Sequence, residues 1–171
     1  MKKIINLLLK KKNQKGSTFI ETVLYIAIFS ILLVIFLQMF TAIIDIQLES
    51  EAKSSVLQDG RFILERLAYD IRRAESVNIP SAPGEQNTTL QLVINGENFT
   101  YNLSGGNLIL NNTLGADNLN SSETIVSSIN FTRLGGTTDK NTIKISLNLT
   151  SKTQKRSGPQ EEIIETTIGL R

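Results

Sequence analysis

TVLYIAIFSILLVIFLQMFTAII, residues 22–44, runs for 23 residues without a charged side chain. At about 1.5 Å per residue, a helix of this length covers roughly 35 Å, which is enough to cross the hydrocarbon core of a bilayer. A secretory signal has a shorter apolar core followed by a small-residue cleavage site, and no A-x-A pattern follows this run. The stretch therefore predicts a transmembrane helix.

The first 16 residues form a basic leader. They contain no acidic residue and six lysines, namely Lys2, Lys3, Lys10, Lys11, Lys12 and Lys15. Positive charge beside an apolar helix is retained on the cytoplasmic side of the membrane. We therefore expect a single-pass protein of the cytoplasmic membrane with its N-terminus inside and the rest of the chain outside. Gly16, the small residue before the apolar helix, is the expected point of leader cleavage.

Glu21 places one carboxylate at the start of the apolar region. An ionised carboxylate deep in a bilayer costs on the order of 2.5 to 3.5 kcal/mol and usually marks a function. Cleavage after Gly16 frees an α-amino group on Ser17, about one helical turn from Glu21, and this amine can neutralise Glu21 of the same or a neighbouring chain. In the alternative interpretation, Glu21 lies solvated at the headgroup level and has no function.

The segment Gly16-Ser17-Thr18-Phe19-Ile20-Glu21 followed by an apolar helix resembles the class III signal of type IV pilins and pseudopilins. The resemblance covers residues 1 to about 45. It implies recognition by a prepilin peptidase, cleavage between Gly16 and Ser17, N-methylation of Ser17, and filament assembly guided by Glu21. The chain has Ser17 where the family usually has Phe or Met, and Gln38 where many major pilins have a helix-kinking proline.

A looser resemblance lies at LERLAYDIRRAE, residues 64–75, which is similar to a stretch in the minor pilins and pseudopilins of the W and J kinds. It implies a minor subunit that packs with sibling pilins through its N-terminal helix after an assembly machinery extracts it from the membrane. The filament would belong to a type IV pilus, a type II secretion system or a competence system, since these share one subunit plan.

The composition argues against an enzyme and against a nucleic-acid binder. The 171-residue chain has no cysteine and no histidine, which excludes disulfides, the common nucleophile–base pairs and most zinc sites. We expect no catalytic residue, no metal and no cofactor. Removing the six leader lysines from the 18 basic residues leaves 12 against 16 acidic residues, so the processed chain is mildly acidic and no nucleic-acid partner is expected.

After the apolar run, the periodicity from Asp45 to Val77 predicts an amphipathic continuation of the helix. Apolar residues recur at helical spacing, at Val56, Ile63, Leu67, Ile71 and Ala74. The i,i+4 pair Arg66 and Asp70 falls on the predicted exposed face. Gly60 lies inside the pattern and marks a bend, a close packing contact or nothing in particular. Prolines 80 and 83 then end the helix.

From Thr88 onward, alternating apolar residues predict five to seven antiparallel strands in one or two small sheets, with one face covered by the helix. Asn95-Gly96 between two such runs predicts a tight hairpin. Two segments, 111–122 and 151–160, are predicted loops, the second being either a subunit contact or a basic edge that discourages strand pairing.

The predicted fold is α+β, a long N-terminal helix packed on a small antiparallel β-sheet domain. Its parts are a cleaved basic leader (1–16), a transmembrane and assembly helix (17–44), an amphipathic extension of that helix (45–79) and a β-rich outer domain (80–171). The favoured function is a minor pilin or pseudopilin. The alternative is a single-pass anchored β-rich ectodomain, with an uncut leader, that serves adhesion or scaffolding. An anchored DNA receptor is disfavoured because residues 78–171 hold seven basic and eight acidic residues.

Overall fold

The computed structural model describes residues 15–135 and 141–171, with the side chains of the helix described from Thr18 onward. Within these residues the fold is α+β, as predicted: a single helix, α1 (Lys15–Arg73), precedes nine strands. The chain divides into two compact units, an N-terminal unit that ends at Asp45 and a C-terminal unit, Ile46–Arg171. Helix α1 contributes residues to both.

The strands alternate with short turns. They are β1 (Ser76–Ile79), β2 (Gln86–Asn87), β3 (Leu90–Ile94), β4 (Glu97–Ser104), β5 (Asn107–Asn112), β6 (Gly115–Asn118), β7 (Thr124–Leu134), β8 (Thr142–Ser151) and β9 (Glu161–Gly169). They form a five-stranded sheet of order β1-β3-β4-β5-β6, called sheet A, and a four-stranded sheet of order β2-β7-β8-β9, called sheet B. The paired strands are antiparallel throughout.

The turn chemistry predicted between β3 and β4 is confirmed. Asn95 and Gly96 have φ angles of 52° and 78°, and Ile94 pairs with Glu97. Two consecutive residues with positive φ make the type I′ turn whose twist matches that of the flanking strands. Asn and Gly tolerate this region best, so these two residues fix the register of the hairpin.

The core of the C-terminal unit lies between one stripe of α1 and the inner faces of both sheets. On the helix, Val56, Ile63, Leu67 and Ile71 are 0 to 1% exposed. On the strands the burial alternates, as in β3 and β8, because successive side chains point to opposite faces. One continuous apolar cluster joins the helix stripe to both sheets.

Helix α1 ends four residues before the end of the predicted amphipathic pattern and six residues before the end of the predicted extension 45–79. It was expected to reach Val77, but α1 ends at Arg73, and the backbone N–H of Glu75 donates to the carbonyl of Val93 in β3 at 2.8 Å. The chain thereby leaves the helix and enters β1, whose buried Val77 continued the apolar pattern used to predict the helix. Arg72 and Arg73 in the last turn suit the negative end of the helix dipole.

Two other short strands were not expected. β2 is only two residues long, and β6 lies inside the segment 111–122 that was predicted to be a loop. The four residues of β6 are small or polar and all exposed, so they carry no alternating pattern. The second predicted loop is confirmed, since no strand lies between Ser151 and Glu161. Its Lys152 and Lys155 donate to the carbonyl of Ser122 and to Gln160 Oε1 at 2.9 and 2.7 Å.

Gly60 is a close packing contact between α1 and sheet B. A Cβ at this position would lie 2.6 Å from Cδ1 of Ile164 in β9 and 3.3 Å from Cδ1 of Leu149 in β8. A separation of 2.6 Å is too short for two carbon atoms. The helix approaches sheet B this closely because residue 60 has no side chain.

Candidate functional site: an apolar helix surface with one carboxylate

The helical surface of the N-terminal unit is apolar and uncovered by the rest of the chain. Its large apolar side chains from Phe19 to Ile44 are between 39 and 72% exposed. The most apolar window of α1 has a mean hydropathy of 2.7, and none of it is buried. By length and composition α1 is able to cross a membrane, and among the described residues it is the one helix that qualifies. This finding is compatible with single-pass anchoring.

Three hydroxyl groups in this surface form hydrogen bonds within the helix. The hydroxyls of Thr22, Ser30 and Thr41 donate to the carbonyls of Thr18, Ile26 and Gln38 at 2.7, 2.7 and 2.9 Å. In a hydrocarbon environment no water is present to take these bonds, so a hydroxyl must find its partner on the protein. These hydroxyl side chains therefore add little to the free energy of placing the apolar run in a membrane.

Glu21 lies exposed on this surface, one turn before Tyr25. The phenol of Tyr25 donates to Oε1 of Glu21 at 2.9 Å. One carboxylate oxygen therefore has a neutral donor on the same helix, while no cation is supplied by the neighbouring described side chains. A positive partner for Glu21 has to come from the N-terminal end of the chain or from another molecule.

The other predicted site residues lie at the edge of the described chain. Gly16 and Ser17 belong to the first turn of α1, which begins at Lys15, and their side chains lie outside the described residues. The leader residues 1–14 also lie outside them. The predicted cleavage between Gly16 and Ser17, the methylation of Ser17 and its pairing with Glu21 therefore stay predictions.

A second carboxylate of α1, Asp70, is fully buried, which corrects its predicted place on an exposed face. Its Oδ2 accepts a hydrogen bond from Arg66 Nε at 2.8 Å and another from the Tyr101 hydroxyl, and its Oδ1 lies 2.9 Å from Arg73 Nη2. The guanidinium of Arg73 also lies 4.6 Å from the centre of the Tyr69 ring. We call Asp70, Arg66, Arg73 and Tyr101 the Asp70 cluster.

The Asp70 cluster joins the end of α1 to the middle of sheet A. Burial, together with the hydrogen bond to Asp70, raises the pKa of the Tyr101 hydroxyl above its ordinary value, so Tyr101 acts as a neutral donor. Two guanidinium groups compensate the buried carboxylate, which would otherwise be strongly destabilising. The i,i+4 spacing of Arg66 and Asp70 was visible in the sequence, but the contact of Asp70 with Tyr101, 31 residues away, was not.

Asp59, on the same helix, binds the segment through which the chain passes from β6 of sheet A to β7 of sheet B. It is 9% exposed, and its Oδ2 accepts bonds from the N–H and hydroxyl of Ser121 at 2.9 and 2.7 Å and from the Thr124 hydroxyl. No sequence pattern predicted this site, because its partners lie more than 60 residues away in a segment without periodicity. The chemistry of both carboxylates is that of structural anchors.

Beside Asp59, a groove of about 740 Å³ separates α1 from the segment that follows β6. Its helix wall includes Leu57 and Phe62, and Phe62 is 53% exposed. The opposite wall is formed by residues 118–121. Within the described residues, no group of three or more acidic side chains is arranged to hold a metal ion.

No family model, curated protein or solved structure matches the chain.

Proposed function

We propose that this protein is a minor pilin or pseudopilin, a non-enzymatic subunit of a filament of the type IV pilus, type II secretion or competence kind. The observation that carries the proposal is the apolar surface of residues 19–44, exposed along its whole length and interrupted near its start by Glu21. The class III signal at residues 16–21 supports the same assignment. The leader is removed by a prepilin peptidase, and Ser17 becomes the methylated N-terminus.

The physical basis of assembly is the exchange of one apolar environment for another. Before assembly, lipid covers the side chains of residues 19–44, which anchor the chain with its N-terminus in the cytoplasm. After extraction by the assembly machinery, the helices of sibling pilins cover them. Burying one large aliphatic side chain is worth about 1.5 to 3 kcal/mol relative to water, so a helix without lipid or sibling helices around it is strongly disfavoured.

Glu21 supplies the specificity of this packing. In an apolar helix bundle an unpaired carboxylate is costly, and Tyr25 provides only a neutral hydrogen bond. The amine of Ser17 on a neighbouring subunit is a cation of the right kind for the remaining charge. The packing of two helices is then favourable at the axial offset that brings Ser17 to Glu21, and unfavourable at others.

A second candidate function is supported by the C-terminal unit. Ile46–Arg171 forms a compact unit with its own core, and two sheets offer polar outer faces. Such a unit on a single membrane helix also describes an anchored adhesion or scaffolding ectodomain. The two functions differ in the fate of the leader, which is cut in a pilin and retained in the ectodomain.

Leader cleavage is the decisive experiment. The full chain is co-expressed with a prepilin peptidase, and its mature N-terminus is determined by mass spectrometry beside a prepilin known to be processed. We expect a new N-terminus at Ser17 and a bulky substitution of Gly16 to abolish it. An intact leader, in cells where the control prepilin is cut, would reject the filament function and favour the anchored ectodomain.

The role of Glu21 is tested by Glu21→Val, with Gln38→Val as the matched control. Both changes replace a polar side chain of the apolar surface by an apolar one, and neither touches the leader. Glu21→Val is expected to remain inserted and cleaved but to lose its crosslinks to sibling pilins, whereas Gln38→Val retains them. Equal crosslinking of the two variants would assign Glu21 to a solvated position at the headgroup level.

A further inference from the structure

The edge strands of the two sheets differ in their protection against pairing with another chain. Strand β9 carries three glutamates, β1 contains a register shift and is followed by Pro80, and β2 is only two residues long. Charges, bulges, prolines and short strands are the devices by which natural sheets block edge-to-edge association. Strand β6 is short and exposed, but it carries a single charge, Asp117. Strand β1 has no charge but is protected by its register shift and Pro80, so β6 is the edge with the fewest of these devices.

The edge of β6 that faces away from β5 is formed by the backbone groups of Ala116 and Asn118. The N–H of Leu119 donates to the carbonyl of Leu108 at 2.8 Å, and Asp117 pairs with Leu110 of β5. Along an antiparallel strand, alternate residues direct their backbone groups to opposite neighbours. Since residues 117 and 119 bond toward β5, the backbone groups of Ala116 and Asn118 point away from the sheet and are open to a new strand.

Leu114, at the tip of the hairpin before β6, is 94% exposed. The tip is held in one conformation, because Asn112 Oδ1 accepts bonds from the N–H groups of Leu114 and Gly115 at 2.9 and 3.1 Å. The hydroxyl of Thr113 also donates to Glu97 Oε2 at 2.9 Å. A fixed, fully exposed leucine binds an apolar site with little further loss of conformational entropy.

We propose that β6 is a self-association surface, where it pairs antiparallel with β6 of a second copy across a two-fold axis. The open backbone groups allow Ala116 to lie opposite the second copy's Ala116 or Asn118, and the first register is favoured because the second places the two Asp117 side chains opposite each other. In the first register Leu114 lies opposite the second copy's Asn118, which lines the groove beside Phe62 and Leu57. Each copy thereby presents one leucine to the groove of the other.

The second copy is the favoured occupant because the surface is self-complementary, as a two-fold interface requires. The leucine and the groove lie at opposite ends of the same four-residue strand, so one antiparallel pairing brings both leucines to both grooves. Asp117 lies opposite the second copy's Gly115, so no like charges face each other. Four residues give few interstrand hydrogen bonds, and burial of the leucines supplies the additional affinity. This inference does not depend on the filament function.

The absence of cysteine allows a clean crosslinking test on the full chain in detergent micelles. Ala116→Cys introduces one thiol at the proposed axis, and Thr167→Cys introduces one on the β9 edge as the control. Under mild oxidation we expect the Ala116→Cys chain to form a covalent dimer at least tenfold faster than the control. Equal rates, or crosslinking of Ala116→Cys in native membranes to a different protein rather than to itself, would overturn the proposal.

Leu114→Ser, made in the Ala116→Cys chain, tests the leucine contact. Each buried leucine contributes about tenfold in affinity, so the variant is expected to weaken the dimer by about a hundredfold, measured by dilution of the crosslinking reaction. Ile163→Ser, at the 67% exposed Ile163 of β9, is the matched control and is expected to change nothing. A Leu114→Ser chain that dimerises as well as the control would show that the groove does not receive Leu114.

Discussion

Two of the carboxylates of helix α1, Glu21 and Asp70, lie in opposite circumstances. Glu21 is exposed on an apolar surface and has one neutral donor, Tyr25, whereas Asp70 is fully buried and contacts two guanidinium groups and a phenol. The stretches around them differ in the same way. Residues 22–44 have no charged side chain on any side and are uncovered, while residues 52–71 bury one stripe against two sheets.

The difference shows where each half of the helix finds its partners. The later half is amphipathic, and the same chain supplies both its apolar contacts and the counterions of Asp70. The earlier half is apolar all round, which is the pattern of a helix surrounded by lipid or by other helices. We infer that stability of the C-terminal unit resides in residues 46–171 and that the apolar half acts through molecules other than this chain. The predictions below test that division.

The largest effect is expected from removing the buried stripe. A fragment from Ser50 to Arg171 retains Val56, Ile63, Leu67 and Ile71 and is expected to fold. A fragment from Asn78 to Arg171 loses these four side chains, which contribute about 6 to 12 kcal/mol, comparable with the whole stability of a domain. Circular dichroism during heating should give a cooperative transition for the longer fragment and none for the shorter.

The fragment experiment also separates the two functional candidates. A shorter fragment that melts cooperatively near the temperature of the longer one would show that the sheets have a closed core of their own. The helix would then be only a stalk, as in the anchored ectodomain.

The next largest effect is expected at Asp70. Asp70→Asn leaves Arg66 and Arg73 without their buried counterion and is expected to reduce the free energy of unfolding by about 3 to 5 kcal/mol. Glu21→Gln is the matched change on the other half of α1. It is expected to alter the free energy of unfolding by less than about 0.5 kcal/mol. Urea unfolding of the full chain in detergent, followed by the strand signal in circular dichroism, measures both. Equal losses would contradict the division between the two halves.

A moderate effect is expected at Gly60. Gly60→Leu places a side chain where even a Cβ meets Ile164 at 2.6 Å, so α1 has to move from sheet B or Ile164 has to leave its rotamer. Overpacking of this kind typically costs about 1 to 3 kcal/mol. Gln58→Leu, at an exposed position two residues away, provides the control. If both variants melt alike, the contact between α1 and sheet B is adaptable and does not constrain the helix.

The sequence predicted the periodic parts of the molecule and failed where contacts are long-range. Helix α1 and the longer strands follow from apolar spacing, and the β3–β4 hairpin follows from Asn95-Gly96. Burial of Asp70 and Asp59 was not predictable, because each carboxylate depends on a partner at least 31 residues away, Tyr101 and Ser121 respectively. Strand β6 was missed because Gly115–Asn118 has no apolar alternation. Of the candidate site, Glu21 was found as a charge in an apolar run, but its hydrogen bond to Tyr25 was not predicted.

The smallest effect concerns Glu85, a partly exposed carboxylate of the C-terminal unit. Its Oε2 accepts bonds from the hydroxyl and N–H of Ser81, both at 2.7 Å, and from the N–H of Ala82 at 2.9 Å. These bonds, led by that of the Ser81 hydroxyl, hold the pKa of Glu85 below its ordinary value of 4.5. A lowered pKa in the folded state means that the contribution to stability is present above pH 4.5 and is lost as the pH falls through the folded value.

Glu85→Gln should therefore lower the melting temperature slightly at pH 7 and leave it unchanged below the folded pKa of Glu85, where the wild-type side chain is neutral like that of Gln. Two melting curves that converge on acidification are the expected result, with Glu75→Gln, at an exposed position before β1, as the control that stays close to wild type throughout. Because Glu85 lies in the C-terminal unit, the same convergence is expected in the Ser50–Arg171 fragment. A pH dependence seen only in the full chain would mean that the apolar half of α1 contributes to the stability of the C-terminal unit, against the division drawn above.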